Sequence, residues 1–295
     1  MTPLAPQSLA VAALVGLLSG THAAIWGMYK DAIHEGFTAG RFARSMIVGA
    51  AAAVAVQAAL RLALPGPAAL VMLFGLAYAA ERGLVEVWKT FVREEDQSKY
   101  FIPMQFSVRG VPVAGRGLRL AAGVAYVAAV GLCLLAIAQL DRGTLAAPAP
   151  GRVALVGLAA GLIIAVGGAW KDAPKEGFEP LKFLRSPAMT VLFALLLSRL
   201  TDSYLEATVA AIGFERATAE TYKTFFFPSK PRGKFTGKPV LYPEMLVRRR
   251  RFVPAYVGIW VAVLASGVLA LRSAAASQRD AAPGDARSRV AGVRP

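Results

Sequence analysis

The chain has 295 residues, of which 56% are hydrophobic and only 17% are charged, whereas an ordinary soluble domain has about 25% charged residues. The apolar residues form long blocks, so the composition excludes a soluble globular domain and predicts an integral membrane protein. The formal net charge is +15, but the basic residues lie mainly between the apolar blocks, which favours membrane topology over a nucleic-acid partner.

Eight apolar segments are long enough, or nearly so, to cross a bilayer as helices, which takes about 20 residues. In chain order they are 8–29, 46–64, 67–88, 118–140, 152–170, 187–200, 203–222 and 252–272. The sixth is short, and we expect it to be tilted or to cross only part of the bilayer. The predicted fold is an all-α polytopic membrane protein with about eight transmembrane helices.

Basic residues are concentrated in four of the segments that connect the apolar blocks. These segments are 30–44, 89–119, 171–185 and 223–251, and they hold 22 of the 33 Lys and Arg residues. Because positively charged loops tend to remain in the cytoplasm, eight spans place all four segments on that side and both termini outside. We therefore expect a multi-pass protein of the bacterial inner membrane whose cytoplasmic loops face anionic lipid headgroups.

Two charged phrases occur twice in the chain. The first reads KDAIHEGFTAGRFARS at 30–45 and KDAPKEGFEPLKFLRS at 171–186, an offset of 141 residues without gaps. The second reads ERGLVEVWKTF at 81–91 and ERATAETYKTF at 215–225, an offset of 134 residues. Self-similarity of this kind indicates an internal repeat, so we interpret the chain as the tandem duplication of a four-helix unit.

The duplication predicts how the chain is divided. The first four-helix repeat covers 1–141, a Pro/Gly-rich connector covers 142–151, and the second repeat covers 152–273. The remaining residues, 274–295, have the composition of a disordered tail. Because four spans return the chain to the side on which it began, both repeats have the same orientation. We expect a pseudo-two-fold axis along the membrane normal.

Each copy of the first phrase contains two carboxylates four residues apart, Asp31 with Glu35 and Asp172 with Glu176. Carboxylate oxygens are the ligands that hard divalent cations prefer, so these four residues form the candidate metal site and Mg²⁺ is the candidate cofactor. In the second copy, Pro174 disfavours a helical conformation of the residue before it, and we expect the helix to break there.

The second phrase places an acid between two bases on one helix face. Arg82 and Glu86 are four residues apart, and Lys89 follows three residues later. A charge at the bilayer centre costs about 2.5–3.5 kcal/mol, so we expect this face to point away from lipid. The second copy repeats the spacing, and a further glutamate points to another side in each copy; these residues are Glu81, Glu215, Arg216, Glu220 and Lys223. Two other interpretations are an ion-pair network that ties helices together and cationic side chains that reach lipid headgroups.

Together, the phrases bring carboxylates and cations to one membrane face, which suits a phosphate-bearing lipid or isoprenoid. We expect Arg44, Arg185, Lys89 and Lys223 to hold the phosphate. The full set of candidate ligand-binding residues is Lys30, Asp31, Glu35, Arg44, Lys171, Asp172, Glu176, Arg185, Glu81, Arg82, Glu86, Lys89, Glu215, Arg216, Glu220 and Lys223.

Three functions remain open at this point. The first is a charged cytoplasmic-side pocket that binds a phosphate-bearing lipid or isoprenoid, with an Mg²⁺-dependent membrane lipid transferase as its enzymatic form. The alternative is a transporter or channel whose pathway runs between the repeats and is lined by the paired glutamates Glu81, Glu86, Glu215 and Glu220. The third is a scaffold without a ligand. The expected partners are membrane lipids rather than nucleic acid, and no pattern indicates an oligomeric state.

Overall fold

The computed structural model describes residues 5–143, 149–226 and 233–281, and 79% of this part of the chain is helical. The helices of the described residues are α1 (Pro6–Glu35), α2 (Ala39–Leu60), α3 (Pro67–Val87), α4 (Arg116–Gly143), α5 (Pro150–Glu176), α6 (Pro180–Leu197), α7 (Tyr204–Thr221), α8 (Met245–Arg248) and α9 (Val253–Ala281). We call α1–α4 the first half and α5–α9 the second half.

Short elements extend or connect these helices. π-Helical turns at Trp88–Val92 and Tyr222–Phe226 continue α3 and α7, and a 3-10 turn at Arg249–Phe252 joins α8 to α9. Between α3 and α4, strands β1 (Ser107–Val108) and β2 (Val111–Pro112) pair in an antiparallel hairpin.

Seven stretches of helix among the described residues are long and apolar enough to cross a membrane. They are α1, α2, α4, α5, α6, α3 with its π-helical turn, and α8 continued into α9. The prediction of an all-α, multi-pass integral membrane protein is confirmed at this level. Helix α7 covers the predicted span 203–222 but is not among the seven, because it carries Glu206, Glu215, Arg216 and Glu220.

Small residues let the first two helices of each half approach closely. A Cβ atom on Gly20 of α1 would lie 2.2 Å from the carbonyl oxygen of Ser45 in α2, so only a hydrogen atom fits there. A Cβ atom on Gly161 of α5 would lie 2.5 Å from the Cα atom of Pro187 in α6. Contacts of this kind are typical of membrane helix pairs, whose association depends on close packing.

Helices α3 and α7 form the centre of the bundle and cross at two glycines. A Cβ atom on Gly213 would lie 1.9 Å from the carbonyl oxygen of Gly75. Helix α3 packs on α1, α2 and α9, and α7 packs on α4, α5 and α6, around a core that includes Leu73, Phe74 and Phe214. The charged residues near the ends of α3 and α7 therefore face other helices of the bundle rather than lipid.

The first phrase ends α1 and α5 in the same way. Gly36 and Gly177 follow the last helical residue with φ angles of 71° and 82°, a conformation that glycine adopts without steric cost. Their N–H groups donate to the carbonyl oxygens of Ala32 and Ala173, at 2.9 Å in both cases.

Three predictions concern the ends of helices: a break at Pro174, a connector at 142–151 and a tail at 274–295. Helix α5 runs through Pro174 to its last residue, so the predicted break at this proline is wrong; in the final turn the ring removes only one helical hydrogen bond. Within the predicted connector 142–151, residues 144–148 lie outside the described residues. Residues 274–281 of the predicted tail continue α9, and 282–295 also lie outside the described residues.

The basic segments predicted between the apolar blocks meet at one end of the bundle, which we call the basic face. The N–H group of Phe101 donates to the carbonyl oxygen of Lys234 at 2.7 Å. The Nε1 atom of Trp170, at the end of α5, donates to the carbonyl oxygen of Ser107 at 2.9 Å. The loop between α3 and α4 thus contacts both the end of α5 and the loop that precedes α8.

Candidate functional site

Arg82 in α3 is the centre of a buried ionic network near the basic face. Its Nη1, Nη2 and Nε atoms lie 3.6, 3.3 and 3.4 Å from carboxylate oxygens of Glu81, Glu86 and Glu220, in that order. The ring centre of Trp26 in α1 lies 5.1 Å from the guanidinium carbon, within the range of a cation–π contact. Because Glu220 belongs to α7, Arg82 joins the two copies of the second phrase.

Glu86 extends this network to the surface. Its side chain is 45% exposed, and its carboxylate lies 3.9 Å from Lys89 and 3.6 Å from Lys171. The acid therefore lies between Arg82 and Lys89, the arrangement expected from their spacing. Lys171 belongs to the first phrase of the second half, so residues of both phrases meet at this carboxylate.

The second half pairs its charges differently. Arg216 donates from Nε and Nη2 to the neighbouring Glu215 at 2.5 and 2.7 Å, and the hydroxyl of Ser186 donates to the same carboxylate at 2.7 Å. The expected placement of Glu220 beside Arg216 is replaced by a contact across the bundle, because the carboxylate of Glu220 faces Arg82.

Lys234 occupies the acidic end of α1. Its Nζ atom lies 2.9 Å from Asp31 and 3.2 Å from Glu35. It also lies 5.3 and 4.7 Å from the ring centres of Tyr100 and Phe235. Burial opposes the charge of this ammonium group, but the two carboxylates outweigh that effect and raise the pKa of Lys234.

The matching carboxylates of the second half also hold a lysine. The Nζ atom of Lys182 lies 3.0 Å from Asp172 and 2.7 Å from Glu176. At the equivalent position of the first half, Arg41 lies 2.9 Å from Glu35. In the part of the chain that the structure describes, no group of three or more His, Cys, Asp or Glu side chains is placed to hold a metal ion. Each carboxylate expected to bind Mg²⁺ thus has a basic side chain beside it.

The two copies of the first phrase converge on two consecutive residues. The N–H group of Gly233 donates to the carboxylate of Glu176 at 3.0 Å. The next residue, Lys234, binds Glu35 through its ammonium group. Glu35 and Glu176 are equivalent in the repeated phrase, so their separate halves come together at the basic face.

Arg44, near the start of α2, has no ionic partner. It forms neither a hydrogen bond nor an ion pair among the described residues, and its Nε atom is buried. The charges that act on it most strongly include one carboxylate, that of Glu81, and three like charges, those of Arg41, Arg82 and Arg93. The guanidinium of Arg44 therefore lies among like charges, and a bound anion would offset their repulsion.

Arg185, which is equivalent to Arg44 in the repeated phrase, is also without an ion pair or hydrogen bond among the described residues, and its Nε atom is buried. The carboxylates that act on it, those of Asp172 and Glu215, are already paired with Lys182 and Arg216. Arg185 thus retains its donors for another acceptor.

The two lysines expected to hold phosphate occupy different surroundings. Lys89 lies beside Glu86. Lys223 is exposed and has three like charges among its electrostatic neighbours, Arg185, Arg216 and Lys182, against the single carboxylate of Asp172. The structure therefore brings Lys223 together with Arg185.

Aromatic residues and one histidine complete the network, and none of them was anticipated as a site residue. Tyr78 donates to Glu220 at 2.5 Å, and the Nδ1 atom of His22 lies 3.2 Å from the Tyr78 hydroxyl. The available signal was helical spacing, since Tyr78 lies one turn before Arg82 and His22 lies one turn before Trp26. The partners of Tyr78 and Trp26 lie far away in sequence, so spacing alone did not identify them.

Two shallow cavities lie at the basic face. One, of about 400 Å³, lies between the end of α1 and residues 235–240. The other, of about 250 Å³, lies beside Phe101 at the end of α5. The glutamates expected along a transport pathway, Glu81, Glu86, Glu215 and Glu220, line neither cavity. Glu81 and Glu215 are fully buried.

Comparison with known proteins does not identify this site. No protein-family model, curated protein or solved structure matches the chain. Its function is therefore inferred from the geometry and charge of the site itself.

Proposed function

We propose that this membrane protein binds the phosphate of a lipid headgroup at its basic face. Arg44 and Arg185 are the principal phosphate ligands, and Lys223 supports Arg185. The observation that carries this proposal is the position of the two arginines. Each is equivalent to the other in the repeated phrase, each has a buried Nε atom, and each lacks an acceptor among the described residues.

A guanidinium group without an acceptor loses hydrogen bonds that water would otherwise supply, and hydrogen bonds to charged groups are worth about 1.5–3 kcal/mol. A phosphate accepts two parallel N–H donors from one arginine, so it suits this group in geometry as well as in charge. The like charges around Arg44 and Lys223 add an attraction for an anion that a neutral ligand would not receive.

The surroundings of Arg185 favour a lipid over a soluble phosphate. Phe178, Leu181 and Leu184 precede it and are all largely exposed, with Leu181 at 86%. Apolar side chains at the end of a membrane helix are stable in the headgroup region, where cationic side chains of the same segment reach the phosphates. Phe37 is exposed in the same way before Arg44.

We propose no metal ion as part of this function, because Lys182 and Lys234 already neutralise the carboxylates that would hold it. The buried glutamates have a structural task in this proposal: they hold arginines of the network in place. The proposed function is binding without catalysis, because binding alone accounts for two arginines that have no ion pair among the described residues.

We further propose that the two halves are copies of a four-helix unit, with α7 as an eighth crossing and the basic face in the cytoplasm. Cβ atoms added to Gly20 and Gly161, which are 141 residues apart, would lie 2.2 and 3.1 Å from the carbonyl oxygens of the equivalent Ser45 and Ser186, and this shared close packing supports the duplication. The burial of Glu215 and Glu220 in α7 supports its crossing, because protein rather than lipid surrounds these two carboxylates. The concentration of cations supports the cytoplasmic side.

Binding of a short-chain phosphatidic acid to the detergent-purified protein tests the proposal. We expect Arg44→Gln and Arg185→Gln to weaken binding by about tenfold each, which corresponds to about 1.4 kcal/mol. Arg152→Gln removes the same charge from an exposed position at the start of α5 and is expected to leave affinity unchanged. Inorganic phosphate serves as a second probe, and it binds more weakly if the exposed apolar residues contribute.

The double variant Arg44→Gln, Arg185→Gln decides the outcome. If it folds and still binds phosphatidic acid as the unmodified protein does, the proposed phosphate site does not exist. If inorganic phosphate binds as tightly as the lipid, the site is an anion site without a lipid function.

A further inference from the structure

A buried chain of hydrogen bonds crosses from α1 to α7. The Nδ1 atom of His22 lies 3.2 Å from the hydroxyl oxygen of Tyr78 in α3, and this hydroxyl donates to Oε2 of Glu220 at 2.5 Å. The other carboxylate oxygen of Glu220 lies 3.4 Å from Nε of Arg82. All four side chains are buried.

The direction of these bonds fixes the protonation of His22. A tyrosine hydroxyl has one proton, and that of Tyr78 is used in the bond to Glu220. The Tyr78 oxygen must therefore accept from His22, so the Nδ1 atom carries the proton. In neutral imidazole only one nitrogen is protonated, which leaves Nε2 of His22 as an acceptor.

The Nε2 atom is buried and has no hydrogen-bond partner among the described residues. Aromatic rings surround the imidazole: Tyr256 is stacked on it with ring centres 4.1 Å apart, and Trp260 and Phe74 meet it edge-on. An unpaired acceptor in a membrane interior is unfavourable, because no water replaces the missing donor. The lone pair on Nε2 of His22 is therefore available to accept a proton.

The hydrogen-bonded side chains connect the interior of the helix bundle with the basic face. His22 lies thirteen residues before the end of α1, which places it about 20 Å from that end along the helix axis. At the other end, Glu220 contacts Arg82, which also contacts the partly exposed Glu86. The hydrogen bonds thus run from the interior to the ionic network.

We propose that His22, Tyr78 and Glu220 form a proton-transfer chain whose ligand is the proton. A proton that binds Nε2 of His22 allows the Nδ1 proton to pass to the Tyr78 oxygen while the Tyr78 proton passes to Glu220. The chain ends with His22 protonated at Nε2, Tyr78 neutral and Glu220 protonated. One proton has entered: His22 and Tyr78 have each lost one bond to hydrogen and formed another, and Glu220 has gained one.

The charged and titratable groups that face this chain come from three helices. Arg82 of α3 acts on His22 and Glu220, and Arg216 of α7 acts electrostatically with Glu220. The ring of Tyr256 in α9 is stacked on His22, and its hydroxyl acts electrostatically with Glu220. When Glu220 takes the proton, its attraction for Arg82 weakens, and Arg82 keeps Glu81 and Glu86 as partners. Proton transfer therefore acts on the ion pair that joins α3 and α7.

The test uses the small number of histidines. Only His22 and His34 occur in the chain, so His34→Gln leaves His22 as the sole histidine. Nitrogen NMR of isotope-labelled histidine in lipid nanodiscs then reports on both ring nitrogens of His22. We expect the proton on Nδ1 at neutral pH, although Nε2 is the commoner position in free imidazole side chains. A proton on Nε2 at neutral pH overturns the proposal, and this measurement needs no change in the core.

The transfer itself is tested by acidification. We expect the His22 proton to move from Nδ1 to Nε2 over the same pH range in which infrared spectra show a carboxylic acid band that is absent in Glu220→Gln. In Tyr78→Phe the two changes should separate, whereas in Tyr126→Phe, an exposed tyrosine of α4, they should remain together. Independent changes in the unmodified chain, or coupling that survives in Tyr78→Phe, contradict the proposed route.

Discussion

The Nε atom of Arg82 lies 3.4 Å from Oε1 of Glu220, and this contact joins α3 to α7 across the centre of the bundle. Both side chains are buried, so little water is present to replace either partner. Removing one member of a buried ion pair leaves an uncompensated charge, whereas replacing both members often costs little. The two residues should therefore behave as a unit in mutational experiments.

Arg82→Met is expected to lower the free energy of unfolding by about 3–5 kcal/mol, because Glu81 and Glu220 lose their cation. Adding Glu220→Met should restore part of the loss. Chemical unfolding in detergent micelles measures both changes. The control is Arg116→Gln, whose side chain is 69% exposed beside Glu94 and whose loss should cost less than about 1 kcal/mol. If the double variant loses as much stability as the two single changes added together, the two residues do not act as a pair.

The crossing of α3 and α7 predicts a strong effect at Gly213. A Cβ atom there would lie 1.9 Å from the carbonyl oxygen of Gly75, so Gly213→Ala must push the helices apart. We expect a loss of about 1–3 kcal/mol, typical of overpacking. At Gly131 of α4 a Cβ atom meets nothing within 4 Å, and Gly131→Ala should stabilise its helix by up to about 1 kcal/mol. Equal thermal midpoints for the two variants would mean that this crossing is not close.

Two equivalent serines are expected to differ in importance. The hydroxyl of Ser186 donates to the buried carboxylate of Glu215, so Ser186→Ala should cost about 1–3 kcal/mol. Ser45, its equivalent in the repeated phrase, makes no side-chain hydrogen bond among the described residues, and Ser45→Ala should change stability little. The difference between the two variants is measured by unfolding, and a larger loss at Ser45 would show that the first half pairs its buried acid in the same way.

We expect the protein to lose stability at alkaline pH, because the ion pairs of Lys234 require a charged ammonium group. Its folded-state pKa is raised above the ordinary lysine value of 10.5, so its contribution is fully present below that pH and is lost as the pH rises through the folded-state pKa. We expect Lys234→Met to lower the thermal midpoint at neutral pH and to weaken its decline above pH 10.5. The control is Lys238→Met, which removes a half-buried lysine of the same loop whose ammonium group donates to the Ser98 carbonyl. The same alkaline decline in all three proteins would remove Lys234 as its cause.

The membrane class and most helix positions could be predicted because apolar blocks depend on local composition. The end of α5 was predicted less well: a proline in the final turn removes few hydrogen bonds, so the helix continued through Pro174. Helix α7 shows the opposite case: its four charged residues make it look unsuited to a membrane, while its neighbours bury two of them, Glu215 and Glu220.

Contacts within the site were harder to predict because they join residues far apart in sequence. The spacing of Arg82, Glu86 and Lys89 is local, and their arrangement followed from it. The ion pair of Lys234 with Glu35 joins the loop before α8 to the end of α1, in different halves of the chain, and no local pattern indicates it. His22 likewise becomes part of a polar chain only when α1 and α3 pack together.

The adjacent contacts of Gly233 and Lys234 limit how the protein can move. A single peptide unit and one lysine side chain separate the acids that they bind in the two halves. In alternating-access transporters one half rocks against the other. Such a movement would stretch the bonds of Gly233 to Glu176 and of Lys234 to Glu35 as soon as the two halves separate. Either such motion must break one of the two bonds, or the halves turn as one rigid body at this end and flex only towards the far side of the membrane.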